Sequence, residues 1–205
     1  MNDSPARAPH PLARLSGLAA GLRALDPSCG PVRLVGIDGH AGSGKSTFAR
    51  LLAAELGGAP VLGLDDIRSH EELFDWTGRF RREVVEPLAA GRSARPAVYD
   101  WHERRFGPGP VIGPAPVVLI EGVGAGRRAL RPWLARLLWM ELPAGQAWLR
   151  GRERDGAVQR EFWEQWEPAE ARHFAEDPSR PFADALVRQV PGGYEVLPGP
   201  ESGAA

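Results

Sequence analysis

Three residue types are almost missing from this chain of 205 residues, and each near-absence excludes a class of structure or function. Lysine occurs only at position 45, so the other basic residues among the 25 are arginine, and asparagine occurs only at position 2. The chain therefore cannot contain an Asn-Lys-x-Asp guanine-reading motif, which excludes the GTPases that depend on it. Cys29 is the single cysteine, so no disulfide can form within the chain.

The chain also lacks long apolar runs and an excess of charge of either sign. No apolar stretch approaches the roughly 20 residues that a membrane helix needs, and the opening MNDSPARAPH has no apolar segment of signal-peptide type. A net charge of −1 does not indicate the excess of positive charge that proteins use to bind nucleic acid. We therefore expect a cytoplasmic protein with neither a membrane nor a nucleic-acid partner. The sequence does not indicate an oligomeric state.

What the chain does contain is a regular alternation of strand and helix patterns. Short apolar runs at residues 32–38 and 116–123 predict buried strands, and the intervening segments carry apolar residues at helical spacing. The run LARLLWMEL predicts a passage from helix into strand, and Pro87 predicts a kink or the end of its helix. This order predicts an α/β fold with a mostly parallel sheet and helices on both faces. We expect one domain over residues 1–198, opened by a helix at about 10–25 and followed by a flexible tail at 199–205.

The stretch GIDGHAGSGKST, residues 36–47, carries a phosphate-binding motif. Its central part fits G-x-x-x-x-G-K-[ST] and lies between a predicted strand and a predicted helix, as the motif requires. Glycines let the backbone wrap closely around phosphates, and the helix adds its positive N-terminal end. The motif predicts a sheet of the P-loop NTPase type that binds ATP. The predicted nucleotide-binding residues are Gly39, His40, Ala41, Gly42, Ser43, Gly44, Lys45, Ser46 and Thr47.

The motif also explains why the single lysine stands at this position. Lys45 would supply a compact charge on a flexible stem between the β- and γ-phosphates. The guanidinium of arginine is broader and planar and would not fit the same slot. Ser46, the next residue, offers a hydroxyl to Mg²⁺.

Acidic residues follow two of the predicted strands. Asp65 and Asp66 end the second strand, and Glu121 follows the apolar run VVLI. Parallel sheets bind ligands outside the carboxyl ends of their strands, so we expect these carboxylates to face the phosphates. A carboxylate after four apolar residues is costly to place without a cation, which favours a magnesium or water contact for Glu121. A helix cap or a solvated turn is the alternative for the two aspartates.

Two helical patterns near the end of the chain carry further candidates. Arg150 and Arg154 of WLRGRERDG are four residues apart and share one helical face, which suits neutralisation of a transferred phosphoryl group. A lid over about residues 144–160 is therefore predicted, and a solvated arginine helix is the alternative. Trp163 and Trp166, three apart on the next helix, are expected to pack against the core.

These motifs, in this order, resemble the uridine kinase-like group of small P-loop nucleoside kinases. The stretches that carry the resemblance beyond the phosphate loop are LDD, FDW, VYDW, VVLIEGV and RGRERDG, within roughly residues 32–188. The resemblance implies ATP with Mg²⁺ and transfer of the γ-phosphate to a sugar hydroxyl. It implies Asp65 as general base, with Glu121 in the magnesium site and Asp65 as a further candidate for that site. It also implies that the lid arginines cover the phosphates.

The same resemblance implies an acceptor site. Asp75 of FDW resembles the acid that holds ribose hydroxyls, and Tyr99 and Asp100 match the segment that lines the nucleoside pocket. Trp101 and Trp76 have flat rings suited to stacking on a flat substrate.

One departure from the family pattern concerns the acceptor. Typical members follow the base with an aromatic pair, whereas this chain has Ile67 and Arg68. Arg68 would either favour an acidic or already phosphorylated acceptor or point to water. We expect an ATP-dependent kinase that phosphorylates a hydroxyl group of a small molecule, and a nucleoside is the favoured acceptor. Alternatives are a kinase for another small alcohol, such as an antibiotic or a vitamin precursor, and a non-catalytic ATP-binding regulator.

Overall fold

The computed structural model describes residues 11–200, and a six-stranded sheet lies at their centre. The strands of this part of the chain are β1 (Arg33–Asp38), β2 (Val61–Gly63), β3 (Ala97–Asp100), β4 (Arg105–Pro108), β5 (Val117–Glu121), β6 (Leu134–Met140), β7 (Ala185–Val190) and β8 (Gly193–Pro198). The sheet has the order β2-β5-β1-β6-β7-β8, and β3 pairs with β4 in a separate antiparallel hairpin. Neighbours in the sheet are parallel except β7 and β8. The predicted α/β fold with a mostly parallel sheet is confirmed.

Helices cover both faces of the sheet. They are α1 (Pro11–Ala24), α2 (Lys45–Glu55), α3 (Thr77–Phe80), α4 (Glu86–Ala89), α5 (Ala144–Asp155) and α6 (Arg160–Glu176), and a π-helical segment, Arg81–Val85, joins α3 to α4. Of the helices within residues 11–200, none is both long and apolar enough to cross a membrane. The predicted opening helix corresponds to α1. Residues 1–10 and 201–205, which belong to the predicted domain and tail, lie outside the described range.

Alternate residues of the central strands supply two separate hydrophobic cores. Val117 and Leu119 of β5 belong to the core that includes side chains of α1 and α2. Val118 and Ile120 belong to the core that includes side chains of α3, the π-helical segment and α4. Successive strand residues point to opposite faces, so a strand covered on both faces is apolar throughout. This is why the apolar runs predicted these strands well.

Two parts of the fold differ from the sequence-based expectation. The run LARLLWMEL was predicted to pass from helix into strand, but all of Leu134–Met140 is strand β6. A buried apolar run has the same composition in either structure, and periodicity alone does not separate them. Pro87 was predicted to kink or end its helix; it does not end it, because it lies at the start of α4, directly after the π-helical segment, and the helix continues to Ala89.

Candidate active site at the strand ends

The carboxyl ends of β1, β2 and β5 lie side by side at one edge of the sheet. The register places Glu121, the last residue of β5, beside both β1 and β2. The segments that leave these strands are the phosphate loop at residues 39–44, the 3₁₀ turn Leu64–Asp66 and the loop at residues 122–126. Each contributes to the lining of a cavity of about 990 Å³. Parallel sheets bind their ligands at this edge.

The phosphate loop has a backbone that requires glycine. Gly42 has φ 85°, and a Cβ at this position would lie 2.0 Å from the carbonyl oxygen of Ala147 in α5. Gly44, with φ 93°, precedes the first residue of α2. The N-terminus of α2 therefore opens toward the cavity, as an anion site needs. The loop and helix residues that line the cavity are Ala41, Gly42, Gly44, Lys45, Ser46 and Thr47.

Lys45 turns back onto the phosphate loop. Its ammonium donates hydrogen bonds to the carbonyl oxygens of Gly39, at 3.0 Å, and His40, at 2.9 Å. The side chain is buried, yet it belongs to the cavity lining. Gly39 and His40, both predicted to bind the nucleotide, thus hold the lysine through their backbone carbonyl oxygens, and neither residue lines the cavity.

Glu121 combines burial with nearby positive charge. Burial raises the pKa of its carboxyl, while Lys45 and a hydrogen bond from the Ser46 hydroxyl act in the opposite direction. The hydroxyl and the carboxylate thus lie together at the cavity wall. Mg²⁺ takes one or two protein oxygens and completes its shell with phosphates and water. This pair of oxygen donors fits such an ion, although no cluster of three or more His, Cys, Asp or Glu side chains suited to a metal occurs within residues 11–200.

Asp65 and Asp66 have different surroundings. Asp65 lines the cavity with 76% of its side chain exposed, and its carbonyl oxygen accepts a hydrogen bond from the Trp101 indole at 3.1 Å. Asp66 does not line the cavity, and burial together with the charge of Asp65 raises the pKa of its carboxyl. The residue predicted as the base is therefore the one that faces the cavity.

The two arginines predicted to share a helix face lie in different clefts. Arg154 lines the main cavity and makes two hydrogen bonds to Asp155, at 2.6 and 2.9 Å. Arg150 donates to Gln189 at 3.2 Å in a second cleft of about 750 Å³. Ser43 of the phosphate loop lines this second cleft as well. The structure therefore does not bring Arg150 and Arg154 together.

Of the predicted acceptor residues, only Trp101 lines the main cavity. Asp75 is exposed outside it. Tyr99 is 4% exposed, and its hydroxyl bonds to His70 at 2.9 Å. Asp100 accepts two backbone N–H groups in the turn of the β3–β4 hairpin, which lower the pKa of its carboxyl.

Several aromatic side chains lie in surroundings that differ from those predicted. Trp76 is fully buried in the core near α3, so it is not available for stacking. Trp163 and Trp166 pack against the core as predicted, but both also line the cavity, together with Phe162. Helical spacing identifies a buried face, and it does not show that the face borders a cavity.

Two acidic residues that the sequence analysis missed hold the loops of the site. Asp38, at the end of β1, is fully buried and accepts backbone N–H groups from Gly39 at 2.7 Å, Gly124 at 2.9 Å and Gly126 at 2.8 Å. This carboxylate joins the phosphate loop to the loop after β5. Asp38 comes directly before the glycine-rich motif, and this position was the sequence signal that could have identified it.

Glu170 of α6 is the second missed residue, and it is also fully buried. Its Oε1 bonds to His40 Nδ1 at 2.7 Å and accepts the Trp148 indole N–H at 3.0 Å. Its Oε2 accepts the backbone N–H of Ala41 at 3.1 Å and the Trp166 indole N–H at 2.7 Å. These hydrogen bonds lower the pKa of Glu170 against the effect of burial. No local sequence pattern marks this residue, because its partners are distant in the chain.

The sheet, the phosphate loop and the strand-end carboxylates together define an α/β fold of the P-loop type. Solved structures share it. One is described as a possible uridine kinase from Bacillus stearothermophilus, with 19% identity, a TM-score of 0.54 and coverage of 78% of this chain and 95% of that chain. Another is described as a candidate fructose transport system kinase from a Silicibacter species, with 23% identity, a TM-score of 0.51 and coverage of 80% and 89%.

The resemblance to uridine kinase-like proteins is thus confirmed at the level of the fold. No protein-family model matches the sequence, and the search of curated proteins finds no match.

Proposed function

We propose that this protein is an ATP-dependent kinase that transfers the γ-phosphate to a hydroxyl group of a small molecule, most of all a nucleoside. One observation carries the proposal: Asp65 lines the same cavity as Lys45, Ser46 and Glu121. A nucleotide-binding regulator needs phosphate contacts but has no use for an exposed carboxylate beside them. A kinase needs such a base within reach of the acceptor hydroxyl.

The two clefts on either side of the phosphate loop suggest how donor and acceptor are separated. Ser43 faces the smaller cleft, whereas Lys45 and Ser46 face the larger cavity. We assign the nucleoside part of ATP to the smaller cleft beside Arg150. The acceptor then occupies the larger cavity, where Asp65 lies.

The proposed chemistry is an in-line displacement at the γ-phosphorus. Asp65 accepts the proton of the acceptor hydroxyl as its oxygen bonds to phosphorus, and the bond from phosphorus to the bridging oxygen breaks to release ADP. Lys45 neutralises charge on the β- and γ-phosphates, and Arg154 faces the transferred group. Ser46 and Glu121 would hold Mg²⁺, which supplies charge neutralisation on the phosphates when bound.

The lining of the larger cavity supports an acceptor with a flat ring. Trp101, Phe162, Trp163 and Trp166 all contribute to it, and the rings of Phe162 and Trp166 are stacked at 5.6 Å. Aromatic faces favour offset stacking or edge contacts with a planar ligand. This observation favours a nucleoside over an alcohol without an aromatic ring, such as a simple sugar. The second candidate is an antibiotic or vitamin precursor that carries an aromatic ring.

A panel of acceptors tests the proposal. Purified protein is incubated with ATP and Mg²⁺ and with nucleosides, sugars and other small alcohols, and each product is analysed by mass spectrometry for the addition of one phosphate. We expect phosphorylation of at least one acceptor that carries an aromatic ring, and a rate lower by on the order of 10²–10⁴-fold with Asp65→Asn. ATP binding without phosphorylation of any acceptor would support the regulator instead.

A further inference from the structure

Arg68 joins the two segments that carry the carboxylates of the site. Its side chain is 1% exposed. Nε donates to the carbonyl oxygen of Leu64 at 3.2 Å and lies 3.5 Å from Asp65 Oδ1, so it holds the turn after β2. Nη2 donates to the carbonyl oxygen of Val123 at 2.8 Å, two residues beyond Glu121. One buried guanidinium therefore fixes the turn that bears Asp65 against the loop that follows Glu121.

Trp166 of α6 connects Arg68 to Glu170. The guanidinium carbon of Arg68 lies 4.8 Å from the centre of the Trp166 ring, and the indole N–H of the same ring donates to Glu170 Oε2 at 2.7 Å. The face of an aromatic ring attracts a cation, and a hydrogen bond to a buried carboxylate is stronger than a neutral one. The indole thus makes a favourable contact with a cation on its face and with an anion at its edge.

Glu170 completes the connection because it bonds to His40 and to the backbone of Ala41 in the phosphate loop. The two ends of this linkage are therefore the turn that bears Asp65 and the loop that faces the phosphates. All three connecting side chains are almost completely buried, at 3% exposure or less. Removing one partner leaves a buried charge or N–H group without that partner, so breaking the linkage costs free energy.

We propose that Arg68, Trp166 and Glu170 are positioning residues that fix the Asp65 turn relative to the phosphate loop. Phosphoryl transfer needs the acceptor oxygen and the phosphorus at a defined separation, and a displacement of about 1 Å can lower the rate about 10²-fold. The catalytic consequence rests on the proposed function, whereas the mechanical linkage does not. Arg68 also lines the main cavity, and its Nη1 has no hydrogen-bond partner among the described residues. Its Nε and Nη2 are bonded to backbone carbonyl oxygens, so on this proposal Arg68 acts through the turn that bears Asp65 and not as a ligand of the acceptor.

Hydrogen exchange tests the linkage without any need for catalysis. The reporters are the backbone amide of Arg68, which donates to Leu64 O, and that of Ser43, which donates to His40 O. We expect Trp166→Phe, which keeps a ring but loses the indole N–H, to speed exchange at both amides by about fivefold or more. Arg68→Gln should speed exchange at Ser43, and Glu170→Gln should speed exchange at Arg68.

Trp133→Phe is the matched control, since Trp133 packs against the core near α3 and α4 and lines neither cleft. Exchange at both reporters should stay within about twofold of wild type in this variant. Unchanged exchange at Arg68 in both Trp166→Phe and Glu170→Gln would overturn the linkage. Faster exchange at only one of the two reporter amides would also overturn the linkage. If Trp166→Phe does not fold, the reciprocal effects of Arg68→Gln and Glu170→Gln decide the question.

The activity measurement uses the acceptor found in the panel. Arg68→Gln and Trp166→Phe should each lower kcat about tenfold or more, with the KM for ATP within about threefold of wild type. The double variant should lose less than the product of the two single losses, because both act on one linkage. Losses that multiply would contradict the proposal. A rise confined to the acceptor KM in Arg68→Gln would instead make Arg68 an acceptor ligand. If no acceptor is phosphorylated but the exchange results hold, the linkage stands and the proposed function is wrong.

Discussion

Lys45 is buried in the phosphate loop and bonded to two of its carbonyl oxygens, at 3.0 and 2.9 Å. A lysine ammonium is compact and can rotate from these acceptors toward a phosphate without rebuilding the loop. An arginine fork has a fixed planar geometry and needs more room. In a chain whose other basic residues are all arginine, this difference explains the choice of residue at position 45.

We therefore expect Lys45→Arg to be nearly as inactive as Lys45→Ala. Both variants should lose on the order of 10²-fold or more in turnover, since charge alone does not replace a positioned donor. Turnover is measured with the best acceptor at saturating ATP. Near-normal activity of the arginine variant would contradict this explanation of the single lysine.

Asp65 and Asp66 give a second prediction at the scale of single residues. Asp65→Asn keeps the shape of the side chain but cannot take a proton, so kcat should fall on the order of 10²–10⁴-fold. Asp66→Asn should have a much milder effect, because Asp66 does not line the cavity. The comparison needs kcat for both variants at saturating ATP and acceptor. A severe loss in Asp66→Asn beside an intact Asp65→Asn would reverse the assignment.

At the scale of elements, helix α5 contributes to both clefts, so its two arginines should differ in effect. Arg154→Ala should lower kcat while the KM for ATP changes little, because Arg154 faces the proposed site of transfer. Arg150→Ala should raise the KM for ATP while kcat changes little, because Arg150 faces the proposed nucleoside cleft. Steady-state kinetics of the two variants separate these outcomes. The opposite pattern would exchange the assignments of donor and acceptor clefts.

The close contact of α5 with the phosphate loop provides another test. Gly42→Ala places a Cβ 2.0 Å from the Ala147 carbonyl oxygen at a φ of 85°, so the loop must move away from α5. We expect the KM for ATP to rise about tenfold or more. Gly145→Ala in α5 is the control, since a Cβ there meets nothing within 4 Å. If ATP affinity were the same in both variants, the backbone of the loop would not depend on this packing.

At the scale of the whole molecule, α1 packs on the same core as α2 and β8. Leu22 of α1 is 1% exposed in that core, which also contains Phe48 of α2 and Tyr194 of β8. Leu22→Ala should lower the free energy of unfolding by about 2–5 kcal/mol in a single urea transition, as expected for one domain. Leu51→Ala, at a position 37% exposed, should cost much less. A separate early transition for α1 would contradict the single-domain prediction.

The sequence by itself determined the sheet and the phosphate loop, because both depend on local patterns. Apolar runs between glycine-rich turns predicted strands buried on both faces, and the spacing of glycine, lysine and serine predicted the anion site at the start of α2. Parallel strands end at the same edge, so the positions of Asp65 and Glu121 near that site also followed from their place in the chain.

Only the tertiary structure decided which side chains meet around that site. Helical spacing put Arg150 and Arg154 on one face, but helix α5 lies between two clefts and presents one arginine to each. Asp100 matched a motif yet caps a hairpin turn, and Glu170 matched none yet holds the phosphate loop across 129 and 130 residues of sequence. Such contacts depend on how helices pack against the sheet, and packing brings together residues whose relation no local pattern contains.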